Sequence, residues 1–320
     1  MNFNIQHTMA ALLLTLSVLS ACKKEATPAP SHKDENYLVV KDNPADPVDH
    51  RIFQFFENTG IPCFYNDTVA KVQVGISSTG VPQYSFQRLV LSYSPLGSIK
   101  SQLFATKNKQ YIPAILDLLK SELVPKLPAG IFIPSILFVD SLTLGDFFID
   151  MDDPAVGWDA VAGFNTVAIR CRDVASMNAD EKRLYIANII TGVVVNKMMS
   201  TQNTALQKDF YSISRALAKP ELGDMDVYNS FPLEFFLPAL PEPGHYALMR
   251  FLPYKVQFDD LVIYYTVPPR EEEDLKMFLV AVLYYTTQEF NTKYDQYPAI
   301  KDKFRILGEI ATAAGLQLPR

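Results

Sequence analysis

Between Arg183 and Lys197 the chain carries no charged residue, and Leu184 to Asn196 is apolar on nearly every side of a 3.6-residue helix. A helix of that kind has to be enclosed, so the rest of the domain must be built around it. Its start is legible: Asn178 can accept an orphan amide hydrogen bond of the first turn, and Glu181, three residues on, can answer it. Gly192 is the anomaly, because glycine inside a helix costs about 1 kcal/mol relative to alanine. Two readings account for it, a close backbone approach by a neighbouring element or the loss of a larger side chain from an older site, and the packing reading is the simpler.

The surrounding pattern mixes helices and strands. Asp49 to Asn58 reads as a short helix with Ile52, Phe53, Phe55 and Phe56 crowding one side and Gly60 closing it. Ile61 to Tyr65, Val72 to Val74 and Tyr84 to Tyr93 read as strands, the last alternating around Phe86, Leu89 and Leu91. Tyr111 to Leu123 has helical spacing and should stop before Pro125. Two β-rich pieces fall within Ile131 to Leu144, and Phe164 to Arg170 is a further strand. The acids Glu271, Glu272, Glu273 and Asp274 suit the first turn of a helix that continues through Tyr285. Helices and strands without regular alternation define an α+β domain.

The amino-terminal segment is of another kind. Met9 to Ala21 is an apolar, small-residue stretch too short to span a bilayer, and it ends in Leu19-Ser20-Ala21-Cys22. That ending resembles the bacterial lipobox, which implies removal of residues 1–21 and acylation of Cys22. No Lys or Arg precedes the apolar core, which departs from the usual signal-peptide pattern. Residues 22–48 are rich in Pro, Lys and acidic groups and poor in large apolar ones, the composition of a tether. A single domain is expected over 49–320, with a possible lobe boundary near Gly223. The net charge of −6 and the lack of a basic stripe give no support to nucleic-acid binding. Beyond Cys22 there remain Cys63 and Cys171, which an oxidising compartment would allow to pair without requiring it.

Taken together, the lipobox, the stretch Phe56-Glu57-Asn58-Thr59-Gly60-Ile61 to Tyr65, the apolar helix following a strand and the helix from Ala299 to Ile310 resemble the substrate import-associated zinc metallohydrolase lipoproteins of Bacteroidota. The resemblance implies a zincin-like fold: a small mixed sheet and a buried helix that in the family carries His-Glu-x-x-His. Two histidines four apart on one helix face hold zinc there, and the glutamate activates its water. Aligned on Asn188-Ile189-Ile190, the first histidine position is Thr191, the glutamate position Gly192 and the second histidine position Val195. Asp259, after Pro253-Tyr254, is the nearest match to the family's downstream acidic ligand, at a shorter spacing than the family's. The chain would thus be a degenerate member without a zinc cofactor.

Other chemistry finds little footing. Of the four histidines, His7 falls in the signal segment and His32 in the tether, while His50 and His245 lack a second ligand at helical spacing. Asp146, Asp150, Asp152 and Asp153 crowd one loop-like stretch of oxygen donors but do not follow the twelve-residue calcium loop, so an acidic solvated turn is the simpler reading. There is no phosphate loop and no Gly-x-Ser-x-Gly elbow. The expectation is a non-catalytic outer-membrane lipoprotein with a binding or assembly role in glycan or peptide import. Outer-membrane import proteins would be its partners. Tyr254, Phe258, Tyr264 and Tyr265 are candidates to line a ligand cleft, with Trp158 more loosely placed. An active hydrolase with an unrecognised site and a purely structural import subunit are the alternatives; the side of the membrane it faces is open. Labelling with a fatty-acid analogue is expected to mark the wild-type chain and to vanish in Cys22→Ala; label persisting in that variant would remove the anchor.

Overall fold

The computed structural model describes residues 35–91, 99–102, 108–146, 149–150, 159–229, 246–248, 254–258, 261–265 and 270–319. Helix α1 (Pro47–Thr59) opens on Asp46, whose carboxylate accepts from the amides of Val48 and Asp49, and closes at Gly60 in the left-handed conformation (φ 73°). Leu38 and Val40 pack against apolar side chains of the body, so the packed chain starts ahead of Asp49. Strand β1 (Cys63–Phe64) follows, then β2 (Thr68–Ile76) and β3 (Pro82–Arg88), a two-stranded hairpin turned at Ser77 to Gly80. Contacts divide the chain so that residues 70–87, most of this hairpin, form one compact unit, and 37–69 with 88–320 form the other. On the hairpin Val74, Ile76, Val81, Tyr84 and Phe86 are exposed.

In the larger unit β4 (Ile99–Gln102) precedes a 3₁₀ turn that runs into α2 (Ile112–Leu118). The helix predicted over 111–123 changes pitch along its length: Leu119–Leu123 is π-helical, and the amide of Val124 reaches back to the carbonyl of Leu119. A further 3₁₀ turn, Val124–Lys126, takes in Pro125, so the proline ends the regular helix and the chain coils on for one turn. Strands β5 (Ile136–Val139), β6 (Ser141–Asp146), β7 (Ile149–Asp150), β8 (Ala160–Ala162) and β9 (Val167–Arg170) come next. They form two sheets, β4-β6-β7 and a mixed sheet ordered β1-β5-β9-β8, in which β1, β5 and β9 run parallel and β8 is an antiparallel edge.

Alternation in the mixed sheet sorts its side chains between two cores. Ile136, Phe138, Val167 and Ile169 face the main core, whereas Leu137, Val139 and Ala168 join Leu89 and Leu142 in a smaller one. Both faces are therefore covered, which explains the unbroken apolar run of β5, as parallel strands require.

The main core is helical. Helix α3 (Ala179–Thr201) starts in the expected capping box, with Asn178 accepting from the Glu181 amide and Glu181 accepting from the Asn178 amide. After it come a short α4 (Asn203–Ala205), a π-helical stretch (Leu206–Tyr211), α5 (Ser212–Leu222) ending at Gly223, the hairpin β10 (Tyr254–Phe258) and β11 (Leu261–Tyr265), α6 (Glu271–Tyr284), α7 (Thr287–Lys293) and α8 (Pro298–Ala313). Helix α3 lies between β8 and α6, and α8 covers α6 from the other direction. The observed class is α+β with a small mixed sheet.

Gly192 explains how closely α3 meets the sheet. A β-carbon built there would lie 2.2 Å from the carbonyl oxygen of Ala160 and 2.6 Å from its carbonyl carbon, both backbone atoms that cannot rotate away. The packing reading of this glycine is the one the fold adopts. Gly308, inside α8, is the contrast, because its added β-carbon would meet only Leu318 Cδ1 at 3.6 Å, an ordinary contact. Gly192→Ala is therefore expected to lose about 2–3 kcal/mol by overpacking, while Gly308→Ala gains about 0.5–1 kcal/mol from helix propensity. Chemical denaturation of the two variants measures both signs.

Candidate functional site

The three positions aligned with a metal motif sit at the centre of α3. Thr191 is fully buried and Val195 is buried with it, inside a run whose members Ile189, Ile190 and Val194 are buried too. Gly192, the position aligned with the glutamate, rests on β8, where a side chain would run into the Ala160 backbone. Thr191 Oγ1 is buried without a hydrogen-bond partner, a single neutral hydroxyl, and Val195 has no donor atom. These residues do not fit a zinc ion, either in donor chemistry or in space. A glutamate restored at 192 would demand room between α3 and β8 that the backbone contact denies.

The other predicted residues are dispersed or lie elsewhere. Cys22, Asp259, Trp158, His7, His32, His245, Asp152 and Asp153 lie outside the described residues. Of the four aromatic candidates, Tyr254 and Phe258 belong to β10, and Tyr264 and Tyr265 to β11. The ladder sets Tyr254 opposite Tyr265, Lys255 opposite Tyr264 and Phe258 opposite Leu261. Asp146 and Asp150 stand on paired strands, with Asp146 opposite Ile149 and Gly145 opposite Asp150. His50 is held by Asp42 at 2.7 Å and by Gln54 at 2.8 Å, an ordinary hydrogen-bonded surface histidine. Among the described residues no group of three or more metal-ligating side chains comes together.

Cys63 and Cys171 are both free. Cys63 pairs with Ile136 at one end of β5, and the Cys171 amide bonds to Val139 at the other end and on the opposite side. Three residues of strand rise alone separate them by about 10 Å, beyond the reach of a disulfide. Burial raises the Cys63 thiol well above its usual range. It pushes Cys171 up to about 12, with the Asp140 charge adding to the effect, so both stay protonated and unreactive.

A polar cluster that sequence reasoning missed lies among α5, α6 and α8. Lys303 Nζ donates to Asp274 Oδ2 at 2.5 Å and to Ser214 Oγ at 2.8 Å, and Tyr228 Oη donates to the same Asp274 oxygen at 2.6 Å. Lys303, Asp274 and Ser214 are wholly enclosed. The ammonium lies 4.2 Å from the Phe210 ring centre and 4.6 Å from that of Phe278. Phe210 and Tyr211 are both buried because they end a π-helical stretch, which turns two consecutive side chains inward. Burial pushes the Asp274 carboxyl up and the Lys303 ammonium down, and their attraction opposes both shifts. Asp274 Oδ1 and the Tyr211 hydroxyl have no hydrogen-bond partner among the described residues. At the rim Arg215 bridges Asp226, Glu271 and the Gln207 side chain.

This constellation contains a serine beside a lysine, yet it is not arranged for nucleophilic attack. The lysine is committed to a carboxylate and is not free to act as a base, and the serine hydroxyl has no path to solvent. Its role is to tie three helices together. One signal pointed to it: Lys303 occupies a place in the apolar stripe of α8 that includes Ile300, Phe304 and Leu307, where a solvated lysine does not belong. Asp274 likewise read only as one of four first-turn acids, but Glu273 and Asp274 are buried, Glu273 against Arg270 at 2.8 Å.

A second partly buried ion pair sits beside the edge of the mixed sheet. Arg172 Nε approaches Asp159 Oδ1 to 2.6 Å, and Tyr185 donates to the Arg170 carbonyl, fixing α3 to the end of β9. Burial holds the Asp159 carboxyl up at about 6, against the pull of Arg172 and Arg170.

Comparison of the chain with protein-family models, with curated proteins and with solved structures finds no match to any of them.

Removing one member of the buried pair should be far worse than removing both. Lys303→Met is expected to cost about 3–5 kcal/mol because it strands a buried carboxylate, whereas Lys303→Met with Asp274→Leu should recover a large part of that loss. Equal losses in the single and double variants, measured by urea unfolding, would mean that packing and not the stranded charge sets the cost.

Proposed function

We propose that this chain is a non-catalytic lipoprotein of the bacterial outer membrane, acting in binding or assembly during glycan or peptide import, on a metallopeptidase-like scaffold whose former active-site helix is sealed. The observation that carries the reading is the backbone contact between Gly192 and Ala160, which leaves no room for a side chain at the position that the resemblance aligns with the catalytic glutamate. It is supported by the α+β class, by the edge strand β8 running antiparallel beside the buried helix, and by the burial of Thr191 and Val195. Threonine, glycine and valine supply none of the nitrogen or carboxylate donors that zinc hydrolysis uses. The membrane anchor would be lipid on Cys22, and outer-membrane import proteins would be the partners. Asp259 alone would leave a divalent ion largely hydrated.

Metal analysis of the purified chain after dialysis against zinc and a brief wash should find far less than one equivalent. Peptide and glycan libraries should pass unchanged, and outer-membrane proteins should co-purify from a native membrane extract. Stoichiometric zinc lost on substitution within Thr191 to Val195, or turnover of either library, would defeat the proposal.

A further inference from the structure

Helix α3 presents a different stripe from the one closed by β8. Ala179, Lys182, Arg183, Ile186 and Ile190 follow one another at three- and four-residue steps and line a hollow of about 460 Å³. Its floor is apolar: Ile186, Ile190 and Leu283 are buried, and Leu118 and Leu318 are half-buried around them. Leu318 lies in the segment that leaves α8 through Gly315 (φ 91°) and crosses back over Gly308, so this wall is laid on by a turn and not by a helix. The volume is in the range that holds a small organic ligand.

The rim is basic, in a chain whose net charge is −6. Two of its three cations are already committed. Lys126 pairs with Glu122 at 2.7 Å, and Arg183 is shared between Asp180 and Glu289 while lying 4.4 Å from the Tyr284 ring centre. Lys182 remains, with no ion pair among the described residues. It stands at the end of the first turn of α3, where the acids Asp180 and Glu181 are engaged by Arg183 and by the Asn178 amide. One uncommitted cation above an apolar floor matches one negative charge on an apolar body; a dianion would leave a charge unanswered. From Lys182 to Ile190 the helix rises about 12 Å, room for a short acyl chain lying along it.

We propose that this hollow binds a small monocarboxylate with an apolar body, its carboxylate on Lys182 and its chain on Ile186, Ile190, Leu283 and Leu318. The site is separate from the sealed face of α3 and does not depend on the metallopeptidase-like reading. Titration calorimetry of the whole purified chain with octanoate tests it. One equivalent should bind. Lys182→Gln and Leu318→Asp should each weaken binding at least tenfold, and Lys219→Gln, a distant exposed lysine, should leave it unchanged. Octan-1-ol should bind at least tenfold more weakly than octanoate, and octyltrimethylammonium more weakly still. No octanoate binding in the millimolar range, equal binding by Lys182→Gln, or equal binding of the alcohol would each overturn the proposal. The last would reduce the hollow to nonspecific apolar surface.

Discussion

The contact between the backbone of α3 at Gly192 and the carbonyl of Ala160 on β8 is the constraint around which the rest of the larger unit is arranged. A helix that approaches a sheet at side-chain distance leaves a layer between them to be filled. At Gly192 that layer is absent, and the neighbouring residues have to close the gap on either side. Thr191, Val194 and Val195 are all buried, so the middle turns of α3, which carry no charged residue, are enclosed. Tyr185 reinforces the position one end over, bonding the carbonyl of Arg170 where β9 leaves the sheet. Helix α3 is thus fixed to the mixed sheet at two points, at β8 and at the end of β9, and α6 packs against it as well.

A buried ion pair performs the corresponding task farther along the chain. Lys303 and Asp274 belong to helices α8 and α6, and through Ser214 and Tyr228 they hold α5 and the chain beyond it. Desolvating both charges is expensive, and an apolar pair of similar volume would serve stability as well or better. What the ionic version adds is discrimination: any slip of α8 against α6 leaves two enclosed charges unpaired, whereas a slip between leucines costs far less. In a core this apolar, where Phe210, Phe278, Phe290 and Phe304 could interdigitate in several ways, that selectivity fixes one arrangement.

What was legible in the sequence followed from local interactions. The capping box at Asn178 and Glu181 and the αL stop at Gly60 were readable because cause and consequence lie within four residues. Burial of α3 was readable because its composition admits no other outcome in water. The π-helical segments were not, since Leu119 to Leu123 and Leu206 to Tyr211 keep an apolar pattern compatible with an α-helix and widen only in response to what they pack against. The ion pair was hidden by distance along the chain and by resemblance to ordinary surface charge: Asp274 stands in an acidic first turn and Lys303 beside Lys301 and Asp302. Gly192 fell between these cases. The need for a reason was evident, but the reason lies in Ala160, 32 residues away on another element.

Helix α3 therefore meets its surroundings in two physically different ways. Toward β8 it has surrendered its side chain at Gly192 and gained a backbone contact that leaves no space for a ligand. On the stripe through Lys182, Ile186 and Ile190 it keeps full-sized side chains, which line the hollow together with Leu283 and Leu318. The two faces are mechanically linked because one rigid helix carries both. The backbone approach at Gly192 and the side-chain stripe at Lys182, Ile186 and Ile190 are thus two distinct surfaces of one helix.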